Sequence, residues 1–324
     1  MISIRAPLRV SLFGGGSDFP SYFTKHGGLV VGFTINKYIH IHSSKIEVDQ
    51  GFKFRLSYKS NEEVNNVSEI KHPTFREVLR EYGLHDSYHF TTMSCLPAGA
   101  GLGSSSTFTV GLYHLLNELT GNTQSELELA KKAINIERNV LGEAGGWQDQ
   151  LHPAFGGVNS FEFLKDMTIL RRELKLPKEA LEKLNSNMYI LYSGEMRQAK
   201  VIEKSKLLNL NDVLLTEVRD IAREGEVLMS KGDFSLSDIG RLLNYGWEIK
   251  KSLSKSVSNA NIDNLYELIL KSGAYGAKLC GSGGGGFFIV LANPKSASFL
   301  SEKLPNGCLS KINIDLKGLK RFNI

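Results

Sequence analysis

A charged pair stands at the start of the chain. Ile2 to Phe13 alternates like a β-strand and runs into Gly14-Gly15-Gly16-Ser17-Asp18, with Arg9 inside the otherwise apolar strand. A guanidinium in that position is either an edge residue turned to water or a charge aimed at an anion. A second stretch, Leu96 to Thr107, reads LPAGAGLGSSST. Gly99, Gly101 and Gly103 permit backbone angles closed to other residues, and Ser104, Ser105 and Ser106 are suited to cap a helix start. Unpaired N–H groups there, ringed by hydroxyls, favour an anion such as a nucleotide phosphate. No Lys follows the last Gly, and the spacing is not that of a dinucleotide loop, so neither of those common motifs applies. An ordinary glycine-rich loop with a serine cap would have the same composition.

Two carboxylates complete the candidate chemistry. From Ser125 onward Leu127, Ala130, Ile134 and Leu141 share one helical face, and Glu137 falls on it. A buried carboxylate is costly without a cation, so Glu137 either meets something positive inside or pairs with Arg138 at the helix surface. Asp149 follows the Gly145-Gly146 pair, in a turn expected to carry Trp147, Gln148 and Asp149 ahead of a strand-like FGGVNSFEF; an Asp in such a turn is also an ordinary turn-former. Near the C-terminus, Gly281, Gly283 and Gly286 have dinucleotide-loop spacing. They lead into the strand FFIVL where that fingerprint requires a helix, so the match is spurious.

The intervening elements follow from periodicity. Leu29 to Ser44 reads as two β-runs broken near Asn36-Lys37, Phe52 to Tyr58 and Tyr88 to Met93 as strands, and Thr74 to Tyr82 as a helix. Asn61 to Ser68 is polar and reads as a surface loop. Phe108, Leu112, Leu115, Leu116 and Leu119 mark a helix after the glycine loop, which Gly121-Asn122 ends. The charged, Pro-containing Leu174 to Asn185 suits a connection between domains. Met188 to Tyr192 is then a strand, followed by helices over Asn211 to Lys231, Leu236 to Leu253 and Ile262 to Lys271.

With 324 residues the chain exceeds one ordinary core, which points to two domains. A net charge of +5 is spread along the sequence, and the doublets Lys131-Lys132, Arg171-Arg172 and Lys250-Lys251 read as solvated faces, with room for a local patch for an anionic substrate. No clustered basic patch with interleaved aromatics suggests nucleic acid. Cys95, Cys280 and Cys308 are too dispersed for metal spacing or a disulfide framework, and no apolar window approaches a membrane span; a soluble cytoplasmic protein is expected.

Three strings carry a family resemblance. PAGAGLGSSS resembles the second motif of the GHMP small-molecule kinases, named for galactokinase, homoserine kinase, mevalonate kinase and phosphomevalonate kinase. APLRVSLFGGGSD resembles their first motif and GAKLCGSGGGGFFIVL their third, in the family's order and across essentially the whole chain. The resemblance implies an α+β, two-domain GHMP kinase fold: a ribosomal-S5-domain-2-like N-terminal domain over 1–180, a ferredoxin-like C-terminal domain over 181–324, and an active site in the cleft between them. It places ATP on Pro97, Gly99, Ala100, Gly101, Leu102, Gly103, Ser104, Ser105 and Ser106, with the adenine pocket in the general region of the Asn61 to Ser68 segment. It gives Mg²⁺ to Ser105 and Glu137, and makes Asp149 the catalytic base with Arg9 beside the transferred phosphate. Substrate contacts fall on Gly15, Gly16, Ser17, Asp18, Gly281, Ser282 and Gly283, and on Arg197, which with Lys200 lies near a helix start. Arg9 is the variant seen in sugar kinases, where other members have Lys.

IERNVLGEAGGWQDQ and GGGSDFP are closer to bacterial heptose 7-phosphate kinases than to galactokinases, which have a GEHTDY-like segment. The implied reaction is phosphorylation of the anomeric hydroxyl of a heptose 7-phosphate, for nucleotide-activated heptose and surface polysaccharide synthesis. ATP and a sugar phosphate would be the partners, with no nucleic acid and no membrane, and a homodimer is compatible. A galactokinase-like, fucokinase-like or mevalonate-type kinase shares the same core residues; a non-catalytic sugar sensor would lose one of Arg9, Glu137 and Asp149, and all three are present.

Overall fold

The computed structural model describes residues 1–195 and 211–322. Its N-terminal part runs β1 (Ile2–Phe13), α1 (Pro20–His26), β2 (Gly28–Lys45), β3 (Phe54–Ser57), β4 (Asn61–Val64), α2 (Pro73–Tyr82) and β5 (Tyr88–Ser94). Then follow α3 (Ser104–Thr120), α4 (Glu126–Ile134), α5 (Gln148–Phe155), β6 (Val158–Phe163), β7 (Ile169–Glu173), α6 (Lys178–Asn187) and β8 (Met188–Tyr192). The remainder is α7 (Asp212–Lys231), α8 (Leu236–Leu253), α9 (Ala260–Lys271), β9 (Gly276–Leu279), β10 (Phe287–Leu291), α10 (Pro294–Glu302), β11 (Leu309–Lys311) and β12 (Lys320–Phe322).

The larger sheet has the order β12-β1-β2-β5-β3-β4, with β6 on β2 and β7 on β6. β2 is a single strand, not the two expected from the polar Asn36-Lys37. The interruption survives as a register shift, since Tyr38 faces Pro7 while Thr34 faces Arg9. At this irregularity Asn36 donates its backbone N–H to the carbonyl of Asn313 and Ile35 bridges Ile314, so the backbone remains paired. Beyond β1, one end of β2 pairs with β5 and the other with β6. Asn61–Val64, expected in a loop, pairs with β3.

The smaller sheet, β11-β8-β10-β9, is antiparallel and covers a second core around Trp247, Tyr266 and Phe288. The Leu174–Asn185 stretch contains most of α6 instead of an open connection, because Ala180 and Leu184 give it a buried face. Ser125 starts α4 with a reciprocal capping box to Glu128. The expected regular helix does not continue to Leu141: residues Asn135–Val140 widen into a π-helical turn, with Leu141 bonding back to the carbonyl of Ile136. Glu137 still points inward and is 1% exposed.

Candidate active site

The loop before α3 is built by its glycines. Gly99, Gly101 and Gly103 have φ of 75°, 91° and 73°, so each uses the left-handed region that other residues avoid. The serines do not cap the helix. Gly103 occupies the cap position without a side-chain bond, while Ser104 accepts the Gly99 N–H and all three serines are already helical. The loop is fixed from two sides. Leu102 accepts the backbone N–H of Arg9 at 3.1 Å, and Ala100 accepts that of Phe287 at 3.0 Å. The glycine-rich turn between β9 and β10 therefore packs directly on it; a Cβ on Gly286 would lie 2.4 Å from the Ala100 oxygen.

Arg9 is turned inward. It is 2% exposed, and its Nε and Nη2 donate to Asp149 Oδ1 at 3.0 and 2.7 Å while Nη1 donates to the Gly101 carbonyl at 2.6 Å. Asp149 is not in a turn but in the first helical turn of α5, and half-buried. His152 lies one turn further on, fully buried. Burial, with the Arg9 charge, pushes its pKa down to about 3, so it stays neutral beneath the pair.

Asp18 accepts the Gly16 N–H, the Gln148 N–H and the Gln148 side-chain amide at 2.8, 3.0 and 3.2 Å. Burial and the neighbouring Asp149 raise its pKa, and these N–H groups oppose the rise. Gly146 makes this approach possible, since a Cβ there would lie 1.9 Å from Asp18 Oδ2. Gly146→Ala is therefore expected to destabilise the fold by about 1–3 kcal/mol and to displace Asp18. Thermal melting with acceptor KM checks this; an unchanged melt and KM would contradict the close packing.

Arg9, Gly15, Gly16, Asp18, Asp149, Gly281 and Ser282 line one cavity. Ser17 does not reach it: its hydroxyl is spent on the backbone of Gly14 and Leu29. Gly283 packs on Val257 instead. Arg197 and Lys200 lie outside the described residues. The sequence reading missed Ser11, Lys250 and Lys278, which also line the cavity. Lys250, read as part of a solvated doublet, is 8% exposed. Lys278 carried the same signal as Arg9, a cation within the apolar strand-like segment of the third motif.

Glu137 lies behind the loop. Its Oε2 accepts from Ser106 Oγ and Gln150 Nε2, each at 2.7 Å, and stands 3.6 Å from Arg138. The bonded serine is thus Ser106; Ser105, one position earlier, is exposed. Arg138 is largely buried too, and donates to the carbonyls of Glu143, Ala144 and Gly146. Burial raises the Glu137 pKa, and Oε1 has no hydrogen-bond partner among the described residues. An orphaned buried carboxylate oxygen suits a hard cation.

Residues 68–157 match the GHMP kinases N terminal domain and residues 231–308 the GHMP kinases C terminal domain. A D-glycero-alpha-D-manno-heptose 7-phosphate kinase of Campylobacter jejuni is 30% identical over 100% of this chain and 99% of its own. The chain belongs to the GHMP kinase family. This GHMP kinase has the family's two-domain fold and is a phosphotransferase with an alcohol acceptor. It is also 26% identical to a galactokinase of Thermotoga maritima, over 97% of this chain and 96% of that one. Its fold matches the structure of a D-glycero-D-manno-heptose 1-phosphate kinase from Bacteroides thetaiotaomicron with a TM-score of 0.80 and 25% identity, covering 100% and 99% of the two chains. No helix among the described residues is long and apolar enough to cross a membrane.

Proposed function

We propose that this GHMP kinase transfers the γ-phosphate of ATP to the anomeric hydroxyl of D-glycero-D-manno-heptose 7-phosphate, giving the 1,7-bisphosphate. The observation that carries the reading is the Arg9–Asp149 pair, held on the Gly101 carbonyl and opening into the cavity that contains Asp18. The full-length similarity to a heptose 7-phosphate kinase supports the choice of acceptor.

In this reading the acceptor hydroxyl attacks the γ-phosphorus, the bond to the β–γ bridging oxygen breaks, and ADP leaves with that electron pair. Asp149 orients the hydroxyl and takes its proton, while Arg9 holds the carboxylate and offsets charge on the phosphoryl oxygens. Asp18, fixed by two backbone N–H groups, is placed to accept hydrogen bonds from sugar hydroxyls. N–H groups of the Gly99–Ser106 loop and the start of α3 would hold the ATP phosphates. Mg²⁺, when bound, would supply positive charge that offsets the negative charge of the ATP phosphates. Glu137, through Oε1, and Ser105, exposed at the start of α3, are the residues we assign to it; Ser106 stays on Oε2.

Coupled-assay kinetics across heptose 7-phosphate, heptose, galactose, fucose and mevalonate test the reading. Heptose 7-phosphate is expected to have by far the highest kcat/KM; equal efficiency on heptose, or a preference for galactose, fucose or mevalonate, would overturn it. We retain Arg197 as a proposed substrate contact: Arg197→Ala should weaken the preference for the phosphorylated sugar by about 1.5–3 kcal/mol, as for a hydrogen bond to a charged group.

A further inference from the structure

Arg138 does not line the cavity that holds Asp18 and Asp149, yet the chain that reaches both is wrapped around it. It follows Glu137 in the π-helical turn Asn135–Val140, a kind of helix irregularity that recurs at functional sites. Adjacent residues of a regular helix point about 100° apart. Here both side chains are drawn in: Glu137 is 1% exposed and the Arg138 side chain 13%. Arg138 Nη2 stands 3.6 Å from Glu137 Oε2 and donates to the Gly146 carbonyl at 3.0 Å, while Nη1 donates to the carbonyls of Glu143 and Ala144, each at 3.4 Å. Gly145 packs against the same guanidinium, since a Cβ there would lie 2.7 Å from Nη2 and 2.8 Å from Cζ.

The four residues 143–146 thus fold around one cation. Their loop begins where the Glu143 N–H donates to the Glu137 carbonyl at 2.8 Å. It ends where the N–H groups of Trp147 and Gln148 donate to the Asp18 carbonyl and to Asp18 Oδ2, at 3.2 and 3.0 Å. Asp149 is the next residue, and Gly146 must keep its place for Asp18 to fit beside it. A planar guanidinium with five donors in fixed directions can serve several carbonyls and a carboxylate together. An ammonium supplies the charge without that fork.

We infer that Arg138 is a positioning residue for the acceptor, shaping the 143–146 loop that sets Asp18 and Asp149 against each other, an inference that rests on the acceptor roles proposed for those two carboxylates. Two properties of the same group then do different things. Its charge offsets the buried Glu137 carboxylate and contributes to stability. Its fork gives the loop its shape and contributes to acceptor binding.

The test is the dissociation constant of heptose 7-phosphate, measured by calorimetry, beside that of ATP and a thermal melt, for the wild type, Arg138→Met, Arg138→Lys and Gly145→Ala. Arg138→Met should melt lower, because it leaves a buried carboxylate without its cation. Arg138→Lys should recover most of that melt, and both variants should bind the sugar phosphate on the order of 10-fold more weakly, with ATP affinity within a few-fold of wild type. Gly145→Ala keeps both charges, pushes the guanidinium off the loop, and should show the same selective loss; it also keeps the test informative if Arg138→Met fails to fold. Wild-type acceptor affinity in Arg138→Lys and Gly145→Ala would overturn the inference. So would a loss that falls equally on ATP or follows the melt across the variants, which would make Arg138 a support of the fold alone. A wild type that does not bind heptose 7-phosphate overturns the proposed acceptor instead, and the same split on the acceptor selected by the kinetics above then decides the role of Arg138.

Discussion

Asp149→Asn is expected to lower turnover by about 10²–10⁴-fold, the range for loss of a general base, with ATP affinity close to wild type. The amide is nearly isosteric and its oxygen can still accept from Arg9 Nε and Nη2, which now reach Asp149 Oδ1 at 3.0 and 2.7 Å. Arg9 also stays bonded to the Gly101 carbonyl, so the loop before α3 keeps its anchor. What is lost is the carboxylate that takes the acceptor proton. Single-turnover rates together with ATP binding check the expectation. Turnover within a few-fold of wild type would remove Asp149 from the chemistry, and a large loss of ATP affinity would mean that the substitution had disturbed the loop instead.

Glu137→Gln is expected to raise the Mg²⁺ concentration needed for half-maximal activity by at least about tenfold, since changes even in the residues supporting a metal ligand cost 10–100-fold in affinity. A neutral amide is a poorer ligand for a hard cation than a carboxylate. The same change should leave the metal-free fold no less stable at neutral pH. Glu137 is 1% exposed and burial raises its pKa, so an amide there avoids the cost of a buried negative charge and can keep an oxygen for Ser106. Melting without metal separates the two effects. An unchanged Mg²⁺ dependence with a lowered melting temperature would make Glu137 a structural partner of Ser106, Gln150 and Arg138.

Much of the scaffold was legible because local pattern and tertiary placement agree. Strand β1 and strand β8 have the expected bounds, and Ser125 caps α4 as its sequence suggests. Arg9 stood out because a cation interrupts an apolar strand, and Glu137 because a carboxylate sits on an apolar helical face. The differences arise where tertiary contacts overrule local signals. Asn36 and Lys37 look like a strand break, yet the returning segment at Asn313 supplies the hydrogen bonds that keep β2 continuous. Gly145-Gly146 looks like the entry to a turn, but Gly146 is needed for the approach of Asp18, and α5 starts two residues later at Gln148, after Trp147 at its N-cap. The capping role given to Ser104–Ser106 failed because Gly103 takes the cap in a conformation those serines would resist. Lys250 was obscured by Lys251, its neighbour in a doublet that resembles any solvated helix face. Only the packing of α8 against β9 shows that it is buried.

Product analysis is the most direct test of the central claim. Incubating the protein with ATP, Mg²⁺ and D-glycero-D-manno-heptose 7-phosphate and following the sugar by phosphorus and proton NMR should show a second phosphoester coupled to the anomeric proton, formed one for one with ADP. ADP released without a new sugar phosphoester, or a phosphate attached at another carbon, would contradict the account.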